Sequence, residues 1–341
     1  MTSALVAAVV GALVAFIVGW RAMEIGTALR LLDHPDPDGG RKLHAKVTPL
    51  VGGVAVLVAA ILSVLLILPG AEAGHRATLL WFLFTVCGLF LVGAMDDRVE
   101  LAAPTRLAVA SAFLLSAIAQ VPDFSVAFLL FTGQDELVLF SPAVGIGFTL
   151  LCFVGLLNAV NMADGKNGIV IGQAIIWSMI LMLRLPPEML PLVSGIAGAL
   201  SVLFVFNMQG KLFLGDGGSY GLSAMFGLLA IYAWNQGFAD MRADDVALIF
   251  AIPVFDTLRL IVWRTAQGKS PFTPGRDHLH HYLHARWGWP RPLALLLVLV
   301  AVPNALAVLF PGTALLWLVF TFAAYFALIW FATVEPRRRP A

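Results

Sequence analysis

Apolar runs of sixteen to twenty-three residues recur along the whole chain, broken by short polar stretches, and they constrain the fold more than any other feature. A helix crossing a bilayer needs ~20 mostly apolar residues. Read on that scale, the sequence offers eleven candidates, at 4–20, 47–69, 77–95, 106–121, 144–163, 169–184, 189–208, 219–236, 246–266, 291–310 and 312–333. Composition agrees. Of 341 residues 60% are hydrophobic and 12% charged, where a soluble domain carries roughly 25% charge. Too little polar side chain exists to cover a water-facing surface. The expectation is an all-α integral membrane protein, a polytopic bundle of about eleven transmembrane helices in a single domain, 1–341. The net charge of +1 singles out no polyanion, and nucleic acid is not an expected partner. Cys87 and Cys152 lie inside apolar runs and read as small buried side chains rather than as a disulfide or a metal pair.

Charge sets the expected orientation. No Lys or Arg precedes the first run and Arg21 follows it, which favours an N-terminus outside. With alternating spans, seventeen of the 21 Lys and Arg residues fall in inner loops and the basic tail is cytoplasmic, beside anionic headgroups. Five polar segments then share the inner face: 33–53, "GAMDDRVE" (93–100), "NAVNMADGKNG" (158–168), "KLFLGDGGS" (211–219) and "KSPFTPGRDHLHHYLH" (269–284). The loops expected to carry the site are 21–46, 96–105, 164–168, 209–218 and 267–290. The outer loops read as solvated turns, with a short hairpin expected within 122–143.

Each segment has two readings. Asp96 and Asp97 end an apolar run, where a carboxylate is costly unless it pairs or binds a cation; the alternative is a solvated helix end neutralised by Arg98. Asp216 stands between glycines that let backbone approach a ligand, and a hard cation such as Mg²⁺ takes carboxylate, water and phosphate oxygens; the alternative is a Gly-Asp-Gly turn. Asn158 and Asn161 share a helical face, with Asp164, Lys166 and Asn167 close behind. Helix–helix glue explains one such amide, but five polar groups in ten residues favour a ligand site. In "DHLHHYLH", His278, His280, His281 and His284 could hold zinc, but no HExxH pattern is present and no cysteine lies near. With Arg264, Lys269, Arg276 and Arg286 about them, phosphate binding is the better use. Arg41, Lys42, His44 and Lys46 serve equally as positive-inside anchors.

Together, the segments "RKLH…TPLVGG", "GAMDD", "NAVNMADGKNG", "FLGDGGS" and "FD…R…SPF…DHLHH" resemble, in order, those of the polyprenyl-phosphate N-acetylhexosamine-1-phosphate transferases, the WecA/MraY-type members of glycosyltransferase family 4. The resemblance spans residues 33–284 and implies a UDP-amino sugar and a polyprenyl phosphate such as undecaprenyl phosphate as reactants, UMP as product, and Mg²⁺ or Mn²⁺ as cofactor. It implies a multi-pass protein of the bacterial inner membrane that starts lipid-linked polysaccharide synthesis, such as O-antigen, lipopolysaccharide or cell wall; a homodimer rests on likeness alone. By motif position Asp216 is the expected metal ligand, with Asp97 or Asp96 near the lipid phosphate as base or metal partner. Asn161, Asp164 and Phe213 are expected at the nucleotide, Phe213 by stacking on uracil. Lys46, Asn158 and Asn167 join the substrate-binding set, and His278, His280 and His281 with Arg264 are expected at the diphosphate. "HLHH" is similar to the form of the amino-sugar branch and favours GlcNAc-1-phosphate transfer over phospho-N-acetylmuramoyl-pentapeptide transfer. One departure is Asn167, where the family usually has Asp, which leaves the sugar open. Rivals from other classes are a secondary transporter, which wants its polar groups at mid-membrane and a repeat, and a lipid-binding scaffold.

Overall fold

The computed structural model describes residues 2–35, 46–237, 240–270 and 275–334. Arg41, Lys42 and His44 of the first motif, and the tail arginines Arg337, Arg338 and Arg339, lie outside the described residues.

The chain opens with helices α1 (Thr2–Trp20) and α2 (Ala22–Leu29), then an antiparallel ribbon of β1 (Leu32–Asp33) and β2 (Thr48–Pro49). Helices α3 (Gly52–Ile67), α4 (Ala73–Val99) and α5 (Ala103–Gln120) follow. A second ribbon, β3 (Phe128–Leu129) with β4 (Val138–Leu139), forms the hairpin expected within 122–143. Then come α6 (Pro142–Ala163), α7 (Ile169–Met182), α8 (Leu190–Met208), α9 (Gly215–Gly237), α10 (Ala243–Ile249) and α11 (Ala251–Ala266). The chain ends with α12 (Leu279–Trp287), α13 (Arg291–Leu309) and α14 (Ala314–Val334). The two short ribbons aside, it is a helical membrane protein.

Among the described residues, eight helices are long and apolar enough to cross a membrane, or nine if α10 and α11, bent by 79° at their junction, count as one span. That is fewer than the eleven expected, and the reason is local. Helix α7 has only 14 residues. Helix α9 is 23 residues long but opens with Gly-Asp-Gly-Gly-Ser and carries further polar groups. Both are enclosed by protein: every residue of α9 from Gly217 to Trp234 is buried. A helix wrapped by other helices meets little lipid and needs less apolar character than one facing acyl chains. Cys87 is half-buried, but Cys152 is exposed on α6, contrary to the buried reading.

Helix α9 is the axis of the bundle, packed by α3, α4, α6 and α7. Its first turn is clamped by glycines. A Cβ on Gly93 of α4 would stand 2.3 Å from the Asp216 carbonyl oxygen, and one on Gly53 of α3 would stand 2.4 Å from the Gly218 Cα. Small residues at membrane helix contacts let backbones approach this closely. The segment before α9 is tied in as well: Phe213 N–H donates to Pro49 O at 2.9 Å, and Gly52 and Gly53 N–H donate to Phe213 O at 3.0 Å and Leu214 O at 3.1 Å. The position of Asp216 is therefore fixed by α3 and α4 before any side chain is considered.

Candidate active site

Asp216 occupies the first turn of α9, where four backbone N–H groups lack helical partners. Asp97, in the last turn of α4, supplies two acceptors: its Oδ1 takes the Asp216 N–H at 2.9 Å and its Oδ2 the Gly217 N–H at 3.1 Å. Gly215 turns the chain into the helix at φ +77°, a conformation in which a side chain is strained. Asn161, near the end of α6, donates through Nδ2 to Asp216 Oδ1 at 2.7 Å and to Ser219 Oγ at 3.0 Å. Three motif segments far apart in sequence thus meet at the first turn of α9.

Asp96 lies beside the same turn but has partners of its own. It is buried, its Oδ1 accepts the Leu101 N–H at 2.7 Å, and its Oδ2 is paired with Arg106 of α5. The adjacent aspartates therefore divide their work: Asp97 braces α9, while Asp96 is charge-compensated and folds the turn from α4 to α5.

The loop after α6 forms the adjoining wall. Asp164 caps α6 and has no side-chain hydrogen bond among the described residues. Its carboxyl is held well above the usual carboxylate range, first by desolvation and then by the charges of Asp216 and Asp97. Those same charges show that the three carboxylates share one electrostatic neighbourhood. Lys166, half-buried, is lowered by desolvation and by Arg276. Buried Asn207 pins the loop: its Oδ1 accepts the Gly168 N–H at 2.7 Å and its Nδ2 donates to Leu212 O at 3.0 Å. Asn167 lies beside the Gly210 turn. Asn158 donates back to Val154 O of its own helix at 2.7 Å, so the shared face with Asn161 does not extend to a shared partner. Phe213 is half-buried between Leu212 and Leu214, and Lys46 is exposed before β2.

The histidines reach this wall. His280 is buried, and a Cβ on Gly165 would stand 2.4 Å from its Nε2, which has no hydrogen-bond partner among the described residues. Its ring stacks on His278 at 5.4 Å and lies 4.2 Å from that of His281. Burial, then His281 and His278, keeps His280 well below the ordinary imidazole pKa; His281 is pulled down to about 4 by burial, His278 and Lys166. Both are neutral at physiological pH, so each ring offers one N–H donor and one acceptor. Arg264 is buried at the end of α11, 3.9 Å from Asp277.

His278 is gripped from below. Its Nδ1 lies 2.6 Å from Oδ2 of Asp256, the aspartate of the "FD…R" segment, for which no role was expected. Asp256 Oδ1 also accepts from the Leu279 N–H at 3.1 Å, from Arg259 Nη2 at 2.9 Å and from the Tyr325 hydroxyl at 2.7 Å. Ser219 and Asp256 stood inside quoted segments without an assigned role, and Arg106, Asn207, Arg259 and Tyr325 were given none either. Asp256 and Arg259 did carry a signal, being ionisable residues inside an apolar run, which by default mark function. Tyr325, in the last helix, carried none.

The arrangement presents clustered carboxylates, amide donors and neutral imidazoles along one end of the bundle. Such a surface suits a ligand that brings both cationic and anionic groups, such as a metal-bound phosphate ester.

Comparison with known proteins agrees with this chemistry. Residues 79–234 match the family described as Glycosyl transferase family 4. That stretch runs from α4 to α9 and contains Asp96, Asp97, Asn161, Asp164 and Asp216. The chain is 26% identical over 329 residues to the "Probable undecaprenyl-phosphate N-acetylglucosaminyl 1-phosphate transferase" of Bacillus subtilis, covering 93% of this chain and 87% of that protein. It is 29% identical over 277 residues to a decaprenyl-phosphate N-acetylglucosaminephosphotransferase of Mycolicibacterium smegmatis, covering 71% and 66%. To the undecaprenyl-phosphate alpha-N-acetylglucosaminyl 1-phosphate transferase of Salmonella typhi it is 29% identical over 294 residues, covering 82% and 76%. With its motif segments gathered about Asp216, the chain is similar to glycosyl transferase family 4 over residues 79–234, and to polyprenyl-phosphate N-acetylglucosamine 1-phosphate transferases over most of its length.

Proposed function

We propose that the protein transfers an N-acetylhexosamine 1-phosphate, GlcNAc 1-phosphate first among candidates, from a UDP-sugar to a polyprenyl phosphate. An oxygen of the lipid phosphate forms a bond to the phosphorus nearest the sugar; the bond from that phosphorus to the oxygen bridging it to UMP breaks, and UMP leaves with the electron pair. The products are polyprenyl-diphospho-sugar and UMP. The observation that supports this best is the meeting of Asp97, Asn161 and Asp216 at the first turn of α9, with Asp164 and His280 on the adjoining loop wall. A transporter would want its polar groups near the middle of the spans; here they collect at helix ends.

Each group has a role under this reading. Asn161 and Asp97 hold Asp216 and the α9 start in place, and Asn161, Asp164, Asn167 and Phe213 line the nucleotide side with Lys46 and Asn158 further out. His278, His280, His281 and Arg264 face the diphosphate as donors. Phosphoryl transfer asks a protein mainly for positioning and charge stabilisation. What supports a divalent ion is the donor chemistry. Asp216 Oδ2 has no hydrogen-bond partner among the described residues, and Asp97 is adjacent. No group of three or more His, Cys, Asp or Glu able to hold a metal by themselves occurs among those residues. Magnesium fits such a place, since it binds through one or two carboxylates and keeps waters and substrate phosphates as its remaining ligands. When bound, it would offset the diphosphate charge.

Under the same reading the protein spans the bacterial inner membrane eleven times, α7 and α9 included, with its N-terminus outside and the site cytoplasmic. The acceptor's prenyl chain would approach through the bilayer. The test is UMP release by purified protein supplied with Mg²⁺, undecaprenyl phosphate and a panel of UDP-sugars. Release with UDP-GlcNAc or another UDP-amino sugar is expected; no release with any member of the panel would overturn the proposal.

A further inference from the structure

We propose that Asp256 is a positioning residue for His278, and that Arg259 and Tyr325 make the last helix of the bundle part of that device. The turnover half of this inference rests on the transferase reading above; the structural half does not.

The argument starts from the acceptor count. An ionised carboxylate offers about four lone-pair sites. Those of Asp256 are taken by His278 Nδ1 at 2.6 Å, the Leu279 N–H at 3.1 Å, Arg259 Nη2 at 2.9 Å and the Tyr325 hydroxyl at 2.7 Å. Oδ1 takes three of these contacts and is full, while Oδ2 is given to His278, so Asp256 is held by its neighbours and turned toward that ring. Its own placement is over-determined as well: Arg259 Nε donates to the Tyr325 hydroxyl at 2.7 Å, and Arg259 Nη2 to Asp277 O at 2.5 Å. Tyr325 is fully buried on α14, 69 residues from Asp256.

The consequence falls on one ring. His278 stands immediately before α12, and its partner leaves Nδ1 one role, that of donor. Nε2 is then the only ring nitrogen left for a ligand, and the stack on His280 fixes the plane in which it points. A carboxylate behind a histidine sets its tautomer and ring orientation, as in hydrolase triads and metal-bound histidines. His278 is therefore pre-set to meet the diphosphate through Nε2, while neighbouring His280 and His281 remain neutral.

The experiment is a double-substitution cycle in the UMP-release assay, with a spectroscopic arm. Asp256→Asn is expected to lower kcat by on the order of 10–100-fold, with the KM for the UDP-sugar nearly unchanged. Tyr325→Phe, which keeps the ring, is expected to lower it less. If these residues act through His278, their losses disappear in a His278→Ala background. Losses that multiply there would overturn the proposal, as would full activity in Asp256→Asn. Should wild type release no UMP, the transferase reading fails, and ¹⁵N-histidine spectra still decide the structural half. His278, identified by its absence in His278→Ala, should show a protonated Nδ1 in wild type and mixed tautomers in Asp256→Asn. Should Asp256→Asn not fold, the same comparison is made with Tyr325→Phe. A wild-type Nδ1 without its proton would refute the inference.

Discussion

Two polar clusters lie at opposite ends of helix α7, whose 14 residues set them about 21 Å apart, and they obey opposite rules. At the far end the carboxylates of Asp244 and Asp245 both have partners. Arg184 donates to Asp240 O at 2.5 Å and lies 3.4 Å from Asp245 Oδ1; Asp245 Oδ2 accepts the Arg242 N–H at 2.8 Å. Asp244 takes the Thr132 N–H at 2.8 Å and its hydroxyl at 2.5 Å. At the near end, Asp97, Asp164 and Asp216 repel one another, and the Asp164 carboxyl has no hydrogen-bonded partner among the described residues. The first cluster is complete and fastens the β3–β4 hairpin to α10. The second is incomplete by itself, which is what a site for a cation and a phosphate ester requires. Buried polarity therefore separates into structure and site according to whether it is satisfied.

Substitutions can break this contrast. The largest effect is expected from Asp216→Asn, which should lower turnover by at least about 100-fold without lowering the melting temperature, because it removes a charge from a repelling set. At the other end, Asp244→Ala should cost about 1 kcal/mol of stability by leaving the half-buried Thr132 donors unpaired, while UMP release per folded molecule stays the same. Melting curves beside turnover measure both, and a crossed result would dissolve the distinction.

Acidity sharpens it further. Asp164 carries a raised native pKa, so over the range between its unfolded and native values the folded state binds the extra proton. Stability then falls as pH rises through that window. Asp164→Asn should remove this downward slope and raise the melting temperature at neutral pH. The smallest effect is expected for Asn207→Ala, which unfastens Gly168 from Leu212. It should cost about 1 kcal/mol and weaken UDP-sugar binding more than it slows turnover, read as a change in KM.

Much of this was legible from sequence, for physical reasons. Helix positions followed from apolar runs, and the shared end of the bundle from alternating spans and motif order. Asp97, Asn161, Asp164 and Asp216 were singled out as polar groups beside apolar segments and by resemblance in motif order, and the fold brings them together. The span count was less secure, because α7 and α9 are shielded by protein and escape the hydropathy rule. The division of labour between Asp96 and Asp97 was not readable either, since it depends on which side of the last turn of α4 each one leaves. Nor could a pattern of neighbours disclose Tyr325, whose partner Asp256 lies three helices away in the chain. Pairwise contacts across a fold leave no local trace in a single sequence.

The account turns on Asp216 as the place where a cation and the diphosphate are held together, and one paired measurement addresses that directly. UMP release from UDP-GlcNAc and undecaprenyl phosphate would be followed for wild type and Asp216→Asn, each with Mg²⁺ and with a chelator in excess. The account predicts release by wild type with Mg²⁺ alone, and near-background rates in the other three conditions. Comparable turnover by folded Asp216→Asn, or wild-type release undiminished by the chelator, would contradict it.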